Sequence, residues 1–491
     1  MSAAAREAPG EGHAAGLREV DVLVLGVGSA GSRAARAARE AGASTVAVEA
    51  GDELGGLCIL RGCMPTKTLL ETAHRVAEIR DARRFAIEVG APHVDFEALM
   101  ERTRALVARF QRAKVASITG GGFELVRGTP RFVSRNEVEV DGQRYRARAI
   151  VIATGSKTRE IAGCHDARVL TSDDVFALSE APGRVVVLGA GAVGLELATF
   201  LARMGTRVTL VNRSPIFGHQ DEVFGRELRD ALVEEMEVLV PARFVEARRD
   251  GSETLVRIEI TSVEHAGAAS SSAASKTIER PCDFVLNATG RVPSFDGLDV
   301  EAAGLAVEDG RIAVDAFLRA GGEASTTLLA GDASDLHGIL HEANREGEVA
   351  GRNAARLAGR LDGTLETLDP RVPAMSVVFS DPVYASVGLT PQDCERRGLR
   401  YRMAQKRFPE QGRGIVQGAR FGGLRIVAAL DSDNGGRRLL GAQILGARAD
   451  DLIHIPAAIL TMGGSVDDLH RVPWYHPTLA EAFIEVTRAL R

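Results

Sequence analysis

One strand–turn–helix–strand pattern occurs twice in this chain, and that repetition restricts the fold more tightly than any other feature. The first copy runs "DVLVLGVGSAGSRAARAARE" and continues into "STVAVEA". Val22 to Leu25 predict a short buried strand, Gly26, Gly28 and Gly31 supply GxGxxG, and a helical pattern follows. A second strand then ends at Glu49, 18 residues beyond Gly31. Such glycines let the backbone approach a pyrophosphate at a helix N-terminus, and the terminal acid binds a ribose diol. Among 53 glycines a lone GxGxxG carries little weight, but here both strands and the acid are in register. The second copy, "RVVVLGAGAVGLELATFLARMGTRVTLVNRSP", sets Gly189, Gly191 and Gly194 in the same frame, 163 residues on. Two nucleotide-binding domains of α/β, Rossmann-like type are therefore expected; the period is too long for a solenoid.

The remaining segments fall into place around these copies. "RAIVIATGS" (148–156) and "CDFVLNATGRVP" (282–293) each read as an apolar strand breaking at a small-residue turn, as suits a chain crossing between domains. In "TTLLAGDAS", Asp332 directly follows another buried strand, and a helical pattern comes next. From about Pro370 a strand-rich region without nucleotide signature ends in the helical "HPTLAEAFIEVTRAL", a separate C-terminal domain. The low-complexity stretch 262–277, "SVEHAGAASSSAASKT", predicts an elongated surface hairpin loop. A length of 491 residues fits roughly three domains. A net charge of −6, with Lys and Arg scattered, argues against a nucleic-acid surface. No apolar run approaches the ~20 residues that span a bilayer. The first 19 residues lack an apolar signal core and predict a disordered tail.

"GGLCILRGCMPTKTLL" (55–70) places two of the five cysteines, Cys58 and Cys63, five positions apart. An odd cysteine count in a long chain does not make a secreted disulfide framework, so a reducing cytoplasm is expected. Zinc needs four ligands, and no second Cys or His cluster stands nearby. Cys164, Cys282 and Cys394 are isolated and read as buried small hydrophobes. Pro65 suits a first helical position, and Leu70, Ala73, Val76 and Ala77 then share one apolar face. Cys63 falls near that helix N-terminus, where the helix dipole and Lys67 favour a thiolate. Glu196 sits in a strongly apolar helix, and a buried carboxylate needs a partner. On the residues alone a redox pair, incidental spacing and a metal site all stay open, the redox pair being favoured.

Taken in order, these motifs resemble the class I pyridine nucleotide–disulfide oxidoreductases, the family of dihydrolipoamide dehydrogenase, glutathione reductase, mercuric reductase and soluble transhydrogenase. Gly55, Gly56, Cys58, Gly62, Cys63, Pro65 and Lys67 meet the family's cysteine motif, and the ATG turns, Asp332 and "HPTLAEAF" match as well. The resemblance covers residues 20–491. It implies two Rossmann-like domains and a C-terminal α+β dimerisation domain: a tail at 1–19, an FAD-binding domain at 20–163 and 292–367, an NAD(P)-binding domain at 164–291, and the dimerisation domain at 368–491. Gly26, Gly28, Ser29, Gly31, Glu49, Gly56, Lys67, Gly128, Thr154, Gly155, Asp332 and His341 would then serve FAD. Gly189, Gly191, Gly194, Glu196, Asn212, Arg213 and Gly290 would serve NADP(H) or NAD(H). Cys58 would exchange with a substrate disulfide, while Cys63 would face the flavin as a thiolate. Lys67 would pair with Glu196 beside the flavin. His476, oriented by Glu481, would be the acid/base acting on the cysteines of the other subunit of a homodimer. No metal is implied.

The resemblance also implies a small disulfide or dithiol substrate, such as a lipoyl group on a carrier protein. "HPTLAEAF" is nearest the dihydrolipoamide dehydrogenase form, although Trp474 stands where that enzyme usually has a histidine. Ser29 and Arg36 match glutathione reductase, whose substrate tyrosine is replaced here by Phe110. Arg61, between the cysteines, departs from the family's usual residues and sets a cation beside the pair. Asn212 replaces the glutamate that NAD-specific members carry, and Arg213 follows at once, which predicts a preference for NADPH. A transhydrogenase without a disulfide substrate is the alternative of another class, and the intact cysteine pair argues against it.

Overall fold

The computed structural model describes residues 16–218, 220–260, 276–430 and 437–491. The tail expected at 1–19 and the loop expected at 262–277 lie mostly outside these residues, but their ends are visible. Arg18 and Glu19 already belong to the first strand, paired with Tyr145 and Arg146, so the strand begins earlier than the apolar run suggests. Lys276 and Thr277 open the strand Lys276–Cys282.

The chain folds into two compact units. The first holds residues 16–57, Gln111–Lys157 and Val292–Leu368. Its sheet runs Arg319–Ala320, Thr327–Leu329, Gln143–Ile152, Arg18–Leu25, Thr45–Glu49, Glu124–Arg127, with the last five strands all parallel. Val22 to Leu25 are fully buried, as a strand covered on both faces requires. Against this sheet pack the helices Ser29–Glu40 and Leu340–Leu357. They cross closely because small residues face each other: a Cβ on Gly347 or Gly351 would lie 2.2 or 2.3 Å from the carbonyl oxygens of Ala30 and Ala34.

The second unit holds Cys58–Phe110, Thr158–Arg291 and Asp369–Arg491. The cysteine-bearing segment 58–110, inside the 20–163 expectation, thus groups with this unit. A five-stranded parallel sheet, ordered Glu237–Leu239, Arg207–Val211, Arg184–Leu188, Phe284–Asn287, Val169–Thr171, carries the second fingerprint. The C-terminal region forms a five-stranded antiparallel sheet, in which Gly423–Ala429 and Leu439–Leu445 are buried at every position. Helices complete that region, down to Ala482–Leu490. A buried ion pair joins strand Gly423–Ala429 to the helix Glu222–Leu232: Arg425 meets Asp221 at 2.9 Å, and Asp221 also caps that helix by accepting from the Phe224 N–H.

Candidate active site

Both fingerprints adopt one local geometry. Gly26 and Gly189 have φ of +95° and +108°, and a Cβ on either would fall 2.4 or 2.2 Å from the carbonyl oxygen of Ala153 or Ala288. Those alanines open the two ATG turns, so each turn closes against its own glycine loop. The loops are therefore not purely local motifs: Ala153 and Ala288 are parts of the cradles, and spacing alone does not reveal them. Gly31 and Gly194 sit one helical turn inward, under the carbonyls of Gly26 and Gly189.

At Gly28 the situation is the reverse. A Cβ there would meet only the Gly56 Cα, at 3.9 Å, and at Gly155, Gly191 and Gly290 it would meet nothing within 4 Å. These glycines face open space. The helices that follow, Ser29–Glu40 and Ala192–Arg203, have neither a side-chain cap nor an acid in the first turn, so their leading N–H groups suit a phosphate. Gly56 (φ +74°) brings its backbone against Gly28, and the Gly128 N–H donates to the Glu49 carbonyl at 3.1 Å. The Thr154 hydroxyl is buried without a protein partner, and Asp332 accepts from Ser156 Oγ at 2.6 Å. Open cradles, bare helix N-termini and an orphaned hydroxyl fit a dinucleotide in each unit.

The acid positions behave alike but differ in charge. Glu49 accepts from the Val27 and Gly51 N–H groups at 2.9 and 3.0 Å. Asn212 accepts from the Ala190 N–H at 3.2 Å and donates to the Ser214 carbonyl at 2.7 Å. Arg213 beside it is exposed and has no ion pair among the described residues. His341 lies half-exposed, 3.5 Å from Glu342, and Arg36 is engaged by Ser117, its Nη2 donating to the carbonyl at 2.7 Å.

The cysteines occupy consecutive helices. Cys58 lies in the short helix Leu57–Leu60, and Cys63 is the first residue of Cys63–Asp81. The helix begins two residues before Pro65, so that proline sits third rather than first; a residue in the first turn needs no intrahelical N–H partner. Both cysteines are present as thiols, with Cys58 donating to the Cys63 sulfur. That hydrogen bond is the main reason Cys63 ionises well below the ordinary thiol range, at about 7. Burial opposes the shift, the Lys67 ammonium adds to it and the Glu196 carboxylate opposes it. Cys58 is pushed up, first by donating to Cys63 and then by burial.

Lys67 Nζ meets Glu196 Oε2 at 2.7 Å. Glu196, only 4% exposed, also accepts from the Phe379 N–H at 3.1 Å, and the Phe379 ring lies 4.6 Å from Lys67 Nζ. Phe379 completes this pair from 183 positions beyond Glu196, with no local signal in its own segment. The three other cysteines divide: Cys282 and Cys394 are buried, whereas Cys164 is only half-buried.

His476 is set apart from its chain's core, with its side chain 80% exposed. Its Nδ1 lies 3.0 and 3.1 Å from the two Glu481 oxygens. The Thr478 N–H, first, and His476 hold the Glu481 carboxyl below its usual range, so it accepts and Nδ1 must donate. Nε2 is left to take or give a proton. Trp474 stacks on Phe483 at 5.0 Å and thereby fixes the start of this loop.

Two dinucleotide cradles, a thiol pair with one acidic member and a carboxylate-oriented histidine define a nucleotide-dependent dithiol–disulfide redox protein. Comparison with known proteins agrees. Residues 20–347 match the model of the pyridine nucleotide-disulphide oxidoreductases, and 374–487 match the dimerisation domain of the same group. The chain belongs to the pyridine nucleotide-disulphide oxidoreductase family, whose members use FAD and NAD(P)H and form homodimers through the C-terminal domain. It is 32% identical to dihydrolipoyl dehydrogenase of Thermus scotoductus over 96% of this chain and 98% of that protein. It is 28% identical to mercuric reductase of Bacillus cereus, over 95% of this chain and 70% of that one. Among solved structures, the flavoprotein disulfide reductase RclA of Escherichia coli superposes with a TM-score of 0.79 at 21% identity, covering 96% of this chain and 100% of that one. Among the described residues, no helix is long and apolar enough to cross a membrane.

Proposed function

We propose that the protein is an NADPH-preferring reductase of small disulfides, similar in its chemistry to dihydrolipoamide dehydrogenase. The observation that carries this reading is the Cys58–Cys63 dithiol, with Cys63 ionised near neutral pH beside the Lys67–Glu196 pair. Bound FAD supplies two-electron transfer between the nicotinamide and the cysteine pair. Gly26, Gly28, Ser29, Gly31, Gly56, Gly128, Thr154, Gly155 and Asp332 hold it in this reading, with Glu49 bracing the loop and His341 nearby. Gly189, Gly191, Gly194 and Gly290 hold the nicotinamide dinucleotide, and Arg213 takes its 2′-phosphate.

In the disulfide step, Cys58 gives its proton to a His476 imidazole supplied across the homodimer and attacks one substrate sulfur. The S–S bond breaks, and the leaving sulfur takes that proton from His476 and departs as a thiol. The Cys63 thiolate then attacks the Cys58 sulfur of the mixed disulfide, expelling the second substrate sulfur as a thiolate. The dithiol has become a disulfide and the substrate has gained its two electrons. A histidine whose Nδ1 is tied to a carboxylate is suited to this shuttle near neutral pH. We place the reaction in the cytoplasm, where a reducing environment keeps such a pair cycling.

Steady-state rates of the purified holoenzyme with lipoamide, glutathione disulfide and NAD(P)+ as acceptors test the reading. Turnover of a disulfide, lost in Cys58→Ser, is expected. Turnover of NAD(P)+ alone, unchanged in Cys58→Ser, would replace it with a transhydrogenase.

A further inference from the structure

Arg61 is the one charged residue between the two cysteines, and the disulfide step above does not use it. It occupies the four-residue gap between Cys58 and Cys63, directly after the helix Leu57–Leu60. Its side chain is 56% exposed, and its ion-pair partner, Asp173, lies 3.9 Å away, beyond hydrogen-bond distance. Asp173 is itself engaged elsewhere, accepting from Ser172 Oγ at 3.2 Å. Lys67, four residues beyond Cys63, is spent far more fully, holding Glu196 at 2.7 Å.

A role in activating the thiols does not account for it. The leading influences on Cys63 are Cys58, burial, Lys67 and Glu196, and Arg61 is not among them. The charge balance around the pair leaves room for a different task. Lys67 and Glu196 cancel, so an ionised Cys63 leaves one net negative charge, which repels any anion that approaches the cysteines. The exposed guanidinium in the connecting turn offsets that charge once it is released from Asp173. A loose, solvent-exposed pair is worth little, so Asp173 can be exchanged for a carboxylate that meets the guanidinium in fork geometry.

We infer that Arg61 is a specificity-determining residue that selects disulfides bearing a carboxylate, its guanidinium passing from Asp173 to the substrate. This rests on the reading of Cys58–Cys63 as a disulfide-reducing site. Lipoate and lipoamide are matched probes, because they share one cyclic disulfide and differ only in a carboxylate against a neutral amide. The ratio of kcat/KM for lipoate to that for lipoamide, measured on the holoenzyme with saturating NADPH, reads the selectivity directly. Wild type is expected to favour lipoate, and Arg61→Gln to lower the ratio about five- to twentyfold, the size of a partly exposed charge-assisted contact. Arg61→Glu lowers it further. Asp173→Asn, which releases the guanidinium, raises it, and added salt erodes the wild-type preference. A ratio that stays the same in Arg61→Gln and in Asp173→Asn overturns the inference while leaving disulfide reduction intact. Failure of wild type to reduce lipoate, lipoamide or glutathione disulfide instead removes the reading beneath it, and the inference falls with it.

Discussion

The ionisation of Cys63 gives a direct handle on the dithiol. At about 7, its thiol is roughly half ionised at neutral pH, whereas a thiol at 9 would be about 1% ionised there. The sign is that of a lowered acid: thiolate is present above pH 7 and is lost as pH falls through 7. Cys58→Ala removes the hydrogen bond that contributes most, so the midpoint should climb by at least about one unit, cutting the thiolate at pH 7 to about a tenth or less. Lys67→Met should raise the midpoint by a smaller step, while Glu196→Gln should lower it, because that carboxylate opposes ionisation. The assay is a pH titration of thiolate absorbance at 240 nm in the reduced protein, taken as the difference from Cys63→Ser. A wild-type midpoint near 9, or one indifferent to Cys58→Ala, would refute the account of the hydrogen-bonded pair. Opposite shifts in Lys67→Met and Glu196→Gln separate this electrostatic account from a general loosening of the site.

Three further outcomes follow from other parts of the structure. Wild type should show higher kcat/KM with NADPH than with NADH, and Asn212→Glu/Arg213→Ala should move the ratio toward NADH by about ten- to a hundredfold; wild type favouring NADH would contradict it. The substitution is compatible with the loop, since Glu49 makes the corresponding backbone bond in the first fingerprint. Arg425→Met strands the fully buried Asp221 carboxylate and should cost about 3–5 kcal/mol in urea unfolding, a loss that Asp221→Asn/Arg425→Met should partly restore. Finally, Cys58→Ser and His476→Ala protomers, each inactive, should regain activity when exchanged into mixed dimers; no recovery after verified exchange would place both groups in one chain.

The parts of this molecule legible in the sequence are those written in short segments. Each fingerprint is contiguous, so Gly26–Gly31 and Gly189–Gly194 announce their turns without reference to the remainder of the chain. The Cys63 helix was legible for the same reason, though Pro65 pointed to a start two residues late because a proline is tolerated throughout the first turn. Non-local closures were not legible. That Ala153 and Ala288 seal the glycine loops, or that the Phe379 backbone holds Glu196, follows from the tertiary path. The first strand began early because Arg18 is held by Glu124 at 2.8 Å and by sheet pairing, and hydrophobic patterning sees neither. The Lys67–Glu196 contact came from family resemblance; within the sequence alone, a buried acid asks for a partner without naming it.

The two glycine loops also determine where such a chain can change and where it cannot. A methyl group at Gly26 or Gly189 collides with the carbonyl oxygen that opens an ATG turn, and no side-chain rotation relieves a clash with backbone. The grip on a pyrophosphate is thus frozen. At the tip of the adjoining strand the constraint is different: Glu49 and Asn212 bond the same kind of loop N–H with different charge, and Arg213 projects into solvent. On the proposed reading, coenzyme choice is an adjustable setting attached to an immovable mount, turned by two side chains at the strand tip while the glycine backbone beneath stays where it is.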